Sequence, residues 1–551
     1  MEIFNNYSEF KTQKKFYDSW KSARNLAEAK RVAYIKNVGV SNEQKKSDLR
    51  RAEAILNSID IMDDFSQARA EDMEVITDQV KNLITEVGLF ATMGVGLLFS
   101  LSKSTHKVIN EVFKEKKYLN ATKLIIPVIV TAIPMLGSIV GASALGAGLE
   151  TKASRLGRAE AINTTLYSPK QFAELTDEQE KEIEEISKSI YIPPKKAKNF
   201  QNKTRDFGIF RSIKTLFAPN KREQQTIDYI NYRTEADKQY FDNVKLSDKE
   251  VLEAKKDKQL IQNIVEKVDI ASQEYSENVE LATGLVTTTA LAGGVLTGFI
   301  TNKILNKFPK LASYNALISF GVTLTVPLIM AIFGTKLQKQ ASRVGRFKVK
   351  QEFMNNPEQL IYVDDEKTKE IDGNAYINDK KRPGFFKFLI QAVKDNKEYN
   401  KYLKTEYLES KKHSMAREQI NLTHEQEARA TQLQTNTFKM FNTLDEKSQK
   451  MSESTEAIGE IISVGLTSLI SLIGTAISGI YMVKNHKKSS DTKTMITAFV
   501  PAVVSILVAN VINIFVTKAQ KKASKVANML AINEMDDYRN FADYTTQIQK
   551  N

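Results

Sequence analysis

The sequence predicts an all-α integral membrane protein, with six transmembrane helices arranged as three repeated helical hairpins joined by long helical soluble arms. Three observations predict it. The apolar residues gather in six long uncharged stretches, the stretches fall in pairs with short connectors, and a basic signature recurs after the second member of each pair.

The stretches run Val87–Ser102, Leu124–Leu149, Leu281–Asn302, Leu311–Thr335, Ile461–Val483 and Thr494–Thr517. A helix rising about 1.5 Å per residue needs about 20 residues to cross a hydrocarbon core, and five of the six reach that length. Glu86 shortens the first unless its carboxylate sits at an interface. The connectors Lys103–Lys123, Lys303–Lys310 and Lys484–Lys493 make each pair a hairpin. The chain therefore divides into an N-terminal helical arm (1–86), hairpin 1 (87–149), a soluble arm (150–280), hairpin 2 (281–335), a second soluble arm (336–460), hairpin 3 (461–517) and a helical tail (518–551). The arms are rich in Lys, Glu, Gln and Asn and poor in Pro and Gly, which reads as long helices.

The signature is Ala153-Ser154-Arg155-Leu156-Gly157-Arg158, then Ala341-Ser342-Arg343-Val344-Gly345-Arg346, then Ala523-Ser524-Lys525-Val526-Ala527, about 185 residues apart. In the first two copies the match continues through Pro169-Lys170-Gln171-Phe172 against Pro357-Glu358-Gln359-Leu360. Gly208–Ile213 echoes Gly384–Leu389, and an aromatic arm follows each, with Tyr229 and Tyr232 in one and Tyr399, Tyr402 and Tyr407 in the other; Phe16, Tyr17 and Trp20 begin the first copy. Self-similarity at a fixed period implies units packed side by side, here a six-helix bundle with pseudo-threefold character.

Basic residues flanking the hairpins or lying on amphipathic stretches are candidate contacts for lipid headgroups: Arg155, Arg158, Lys336, Lys339, Arg343, Arg346, Lys521, Lys522, Lys525, Arg211 and Lys387. A stop-transfer flank is the plainer explanation, although the retained Ala-Ser-Arg/Lys order suggests packing. Gly137 with Gly141 and Gly294 with Gly298 are spaced for close helix approach. Pro127, Pro134, Pro327 and Pro501 are candidate kinks in the second helix of each hairpin.

A net charge of +13 and a pI near 9.2 fit the lysine surplus of a membrane protein first, an anionic lipid surface second and nucleic acid third, while a mean hydropathy of -0.34 reflects the polar arms. No cysteine is present, which removes disulfides, thiolate metal sites and cysteine nucleophiles. The N-terminus carries no secretory signal pattern. Catalytic patterns are missing too: His424-Glu425 lacks a second histidine because position 428 is Ala428, and Gly146 with Gly148 lacks the third glycine of a dinucleotide loop. We expect no cofactor, no metal and no enzymatic activity. The expected function is a multi-pass membrane scaffold, tether or membrane-shaping protein, whose partners are the lipid bilayer, anionic lipids above all, and a protein or further copies through the arms. A channel or transporter is the alternative and a pore-forming protein the third. Thirteen lysines in the connectors pull those towards the cytoplasm, while the long basic tail of over eighty residues pulls the termini and arms there; the tail is given more weight.

Overall fold

A computed structural model of the protein describes residues 2–59, 169–194, 246–305, 340–377, 385–485 and 491–542, with a few single positions between them. Helix α1 (Glu2–Asn37) contains no Gly or Pro and stops at Gly39, whose φ of 86° is the left-handed turn that lets the Tyr34 carbonyl accept from both Val38 and Gly39. Helix α2 covers 42–59 and α3 is Asp177–Ser189. Next come α4 (Asp248–Leu305), α5 (340–355), α6 (Phe385–Arg417), α7 (His424–Asn485) and α8 (Asp491–Glu534).

Helices α2, α4 and α7 start alike. Ser41 accepts from the Gln44 amide at 3.2 Å, Ser247 and Glu250 cap each other at 2.8 and 3.4 Å, and Thr423 and Gln426 do so at 3.0 and 3.2 Å. Each satisfies the amides that a helix start leaves open. Counted from these caps, Ile55, Ile261 and Thr437 fall at one register and Met62, Val268 and Leu444 at another, and all six are buried. The three helices are thus equivalent members of one core.

Three 3₁₀ turns close that core, at Pro169–Phe172, Pro357–Leu360 and Tyr538–Phe541. Phe172, Leu360 and Phe541 enter the same apolar cluster as Ile55, Ile261 and Phe438. Full burial of such a side chain stabilises by about 1.5–3 kcal/mol. The first two turns are the repeat read from Pro169 and Pro357. The third was not anticipated, although Phe541-Ala542-Asp543-Tyr544-Thr545 parallels Phe172-Ala173-Glu174-Leu175-Thr176.

The units are interlocked. Gln44 at the start of α2 donates to the carbonyl of Tyr362, which follows the second turn, and Gln426 at the start of α7 donates to that of Glu174, which follows the first. Both glutamines lie three residues after a cap, and both carbonyls lie two residues after the buried apolar residue of a turn. Unit 2 therefore leans on unit 1 and unit 1 on unit 3, while the third turn packs against α4 of unit 2. The arms follow the same cycle: α1 of unit 1 lies on α8 of unit 3, and α6 of unit 3 lies on α5 of unit 2.

The six-span expectation is overturned. Among the described residues no helix is long and apolar enough to cross a membrane. Val87–Ser102, Leu124–Leu149 and all but Gly334 of Leu311–Thr335 lie outside the described residues. Leu281–Asn302, Ile461–Val483 and Thr494–Thr517 are the outer parts of α4, α7 and α8, each continuous with a charged base. Absence of charge is a weaker property than apolarity: Leu281–Asn302 alone carries six threonines and four glycines, which lack the favourable transfer of Leu, Ile or Phe. The multi-pass membrane localisation, and the assignment of arms to a cytoplasmic side, fall with the spans. Among the described residues the chain is mostly helical, and equivalent caps, core registers and turns recur three times.

Candidate functional site

The densest arrangement of chemistry sits where α2, α4 and α7 converge. Ten residues after the three caps stand Arg51, Asp257 and Leu433, so equivalent positions present a cation, an anion and an apolar side chain. Arg51 is 4% exposed and Asp257 fully buried, with Arg51 Nη1 3.3 Å from Asp257 Oδ1. Arg51 also reaches Glu253 at 3.0 Å, and its Nε donates to Glu174 at 2.6 Å. Arg429 of the third unit approaches Asp257 at 2.5 Å and Glu253 at 3.3 Å. All three units thus enter one network.

Electrostatics follow from that enclosure. Burial pushes the Asp257 carboxyl upward against the pull of Arg429 and Arg51. Burial also acts to raise Glu253, but Arg51, Lys256 and Arg429 outweigh it and draw that carboxyl down to about 2. Desolvation works against the charge on Arg51, and Asp257, Glu174 and Glu253 reverse it, holding the guanidinium charged. These charges are spent on one another, an arrangement that fixes partners rather than one that activates a nucleophile.

A second set of polar residues marks the crossing of long and return helices. Ser272 on α4 pairs with Ser342 on α5, and Ser448 on α7 pairs with Ser524 on α8 at 2.6 Å. Ser342 and Ser524 are the serines of the basic signature, and Ser272 and Ser448 each lie 25 residues after a cap. Gln273 then joins the units, donating to Ser448 at 2.9 Å and accepting from Ser524. Sequence reading missed these partners. Their signal is Asp-x-x-Ser-Gln-x-x-x-Glu-x-x-Glu, present from Asp63, Asp269 and Asp445 and visible once the chains are aligned on the caps.

The basic residues of the signature are placed by these crossings. Arg343 and Arg346 are buried, and Arg346 donates to Ser342 at 3.2 Å. Lys521 and Lys525 are buried too, facing Glu274 of the second unit at 3.7 and 3.5 Å, and Lys521 lies 3.7 Å from Glu277. Burial outweighs both lysines at Glu277 and lifts its carboxyl to about 8. Lys522 pairs with Asp18 at 2.6 Å and covers the Tyr17 ring, while Lys387 is exposed near the start of α6. These positions turn the signature inward, to packing between units; among the described candidates Lys387 is the exposed one. Arg155, Arg158, Lys336, Lys339, Arg211, Gly137, Gly141, Pro127, Pro134 and Pro327 lie outside the described residues. Gly294 and Gly298 lie within α4, and α8 runs on through Pro501. Close approaches are observed at Gly345, where a Cβ would stand 2.7 Å from the Ala271 carbonyl oxygen, and at Gly459, where it would stand 2.5 Å from a Val516 methyl carbon.

A cavity of about 550 Å³ opens between α2, α3 and α6, lined by Arg50, Glu53, Glu180, Glu184, His413 and Arg417 among others. Its charges oppose one another, and Arg50 is held by Asp177 and by Glu180 at 2.7 Å. It presents no single chemistry to a ligand. Comparison with known proteins adds no relative, since no family model, no curated protein and no solved structure matches this chain.

Proposed function

We propose that the chain is a non-enzymatic helical scaffold, in which three interlocked units form a base that fixes the direction of long paired helices. The observation that carries the reading is the cyclic interlock, in which Gln44 and Gln426 hold the turns of other units at equivalent carbonyls. Helices of 58 and 62 residues leave that base, which corresponds to lengths of about 90 Å. Their outer parts carry exposed Ile300, Ile304, Ile462 and Leu466, and Phe515 stands exposed on α8. Large apolar side chains exposed along these outer parts suit contact with a protein partner. A buried charge network that specifies unit order belongs to the same reading, because it spends stability on a defined geometry.

The native absence of cysteine makes the test direct. Spin labels on Ile300→Cys and Leu466→Cys should give one narrow distance distribution, as a rigid scaffold requires. A broad or multimodal distribution would refute a base that sets helix direction.

A further inference from the structure

We infer that the groove on α8 filled by α1 is also an assembly surface for α1 of a second copy, so that the chain forms oligomers by exchanging this helix. The groove is a register-specific receptor, because two arms enter two grooves in the same way. Tyr17 and Tyr399 both lie 24 residues before a cap, and both are buried against the valine of a signature, Val526 and Val344. One residue further on, Asp18 pairs with Lys522 at 2.6 Å and Asn400 donates to Gln340 at 3.4 Å; both partners stand two residues before the signature serine.

Such an interface is heterologous, with the arm of one unit seated in the groove of another. A heterologous contact closes into a ring when the rotation fits and otherwise passes to a further molecule. In this chain the α1 contact joins the first unit to the third, across 448 residues of sequence or more: Trp20 Nε1 donates to Asn533 at 3.0 Å and Asn6 to Ser454 at 3.2 Å. Every one of those contacts can be made unchanged by α1 of another copy.

The hinge suits exchange. Only residues 38–41 separate α1 from α2, and Gly39 makes the reversal at φ 86° with no atom within 4 Å of where a Cβ would be. Straightening it frees Val40 from the Ile35–Ile361–Val363 cluster and carries α1 away from its own base. Along the rest of α1, Arg24 pairs with Glu266 and Lys267 with Glu28, contacts to the second unit that also transfer whole to a neighbour.

The test uses single-cysteine proteins, Asp18→Cys and Lys522→Cys, mixed at rising concentration and mildly oxidised. Exchange predicts a covalent heterodimer joined through 18 and 522, increasing with concentration. Gly39→Ala should raise the exchanged fraction roughly fivefold, the equivalent of about 1 kcal/mol of left-handed backbone penalty that the extended hinge escapes. The double variant in one chain should close internally when dilute, which reports that the groove is intact. The inference is overturned if the double variant closes internally but no 18–522 heterodimer forms at any concentration. It is equally overturned if Lys249→Cys, an exposed site remote from the groove, cross-links to Asp18→Cys as readily as Lys522→Cys does, or if neither internal nor external disulfide forms. It does not depend on the scaffold reading, whose labelled sites lie on α4 and α7.

Discussion

Arg51 and Asp257 stand at the same register of two different units, 206 residues apart, with Nη1 and Oδ1 3.3 Å from one another in a site closed to solvent. Removing one partner leaves the other charge buried. Arg51→Leu should therefore destabilise by about 3–5 kcal/mol, whereas Arg51→Leu with Asp257→Leu, which copies the Leu433 of the third unit, should recover most of that loss. Arg429 and Glu253 remain in the double variant and limit the recovery. Denaturant midpoints of both single variants and the double variant measure the coupling.

The pH dependence has two opposing components. Glu253 is held at about 2, below its unfolded value, so its contribution is present above the unfolded value and is lost as pH falls towards 2. Glu277 is raised to about 8, so the folded state favours its protonated form, and that contribution is lost as pH rises from the unfolded value through 8. Glu277→Gln should flatten the decline of thermal stability between pH 5 and pH 8. An unchanged slope would count against a buried neutral Glu277.

Gly345 sits where α5 presses on α4. A methyl group there meets the Ala271 carbonyl oxygen at 2.7 Å and the Ser272 Cα at 3.0 Å, both backbone atoms that cannot swing aside. Gly345→Ala should cost about 1–3 kcal/mol despite the better helix propensity of alanine. Thermal unfolding of that variant is the check, and a stabilised protein would show that α5 can move away freely.

Gln273 links the second unit to both serines of the third. Gln273→Ala leaves these polar groups to find other partners and should destabilise by about 1–3 kcal/mol. The loss should be local at first. Hydrogen exchange should quicken around Ser448 and Ser524 before it does around the caps of α2 and α4.

What the sequence made legible was whatever repeats. The Ala-Ser-Arg/Lys signature, the turns at Pro169 and Pro357 and the aromatic arms at Tyr17 and Tyr399 all recur in the structure as equivalent elements. Partners were not legible, because they lie in other units: Lys521 meets Glu277 across 244 residues, and nothing near Lys521 announces it. A basic residue after an uncharged stretch looks like a membrane flank, and only the acidic face of another helix shows that it is packed inside. Missing charge pointed to a membrane, yet in Leu281–Asn302 it coexists with hydroxyls and glycines, and among the described residues no helix is long and apolar enough to cross one.

The Arg51–Asp257–Leu433 level bears on symmetry. A trimer of identical units would set three copies of one residue there, and three arginines or three aspartates in a closed site would repel. Cation, anion and leucine at one level require units that differ in sequence. The network therefore trades strict threefold symmetry for a fixed order of unlike units.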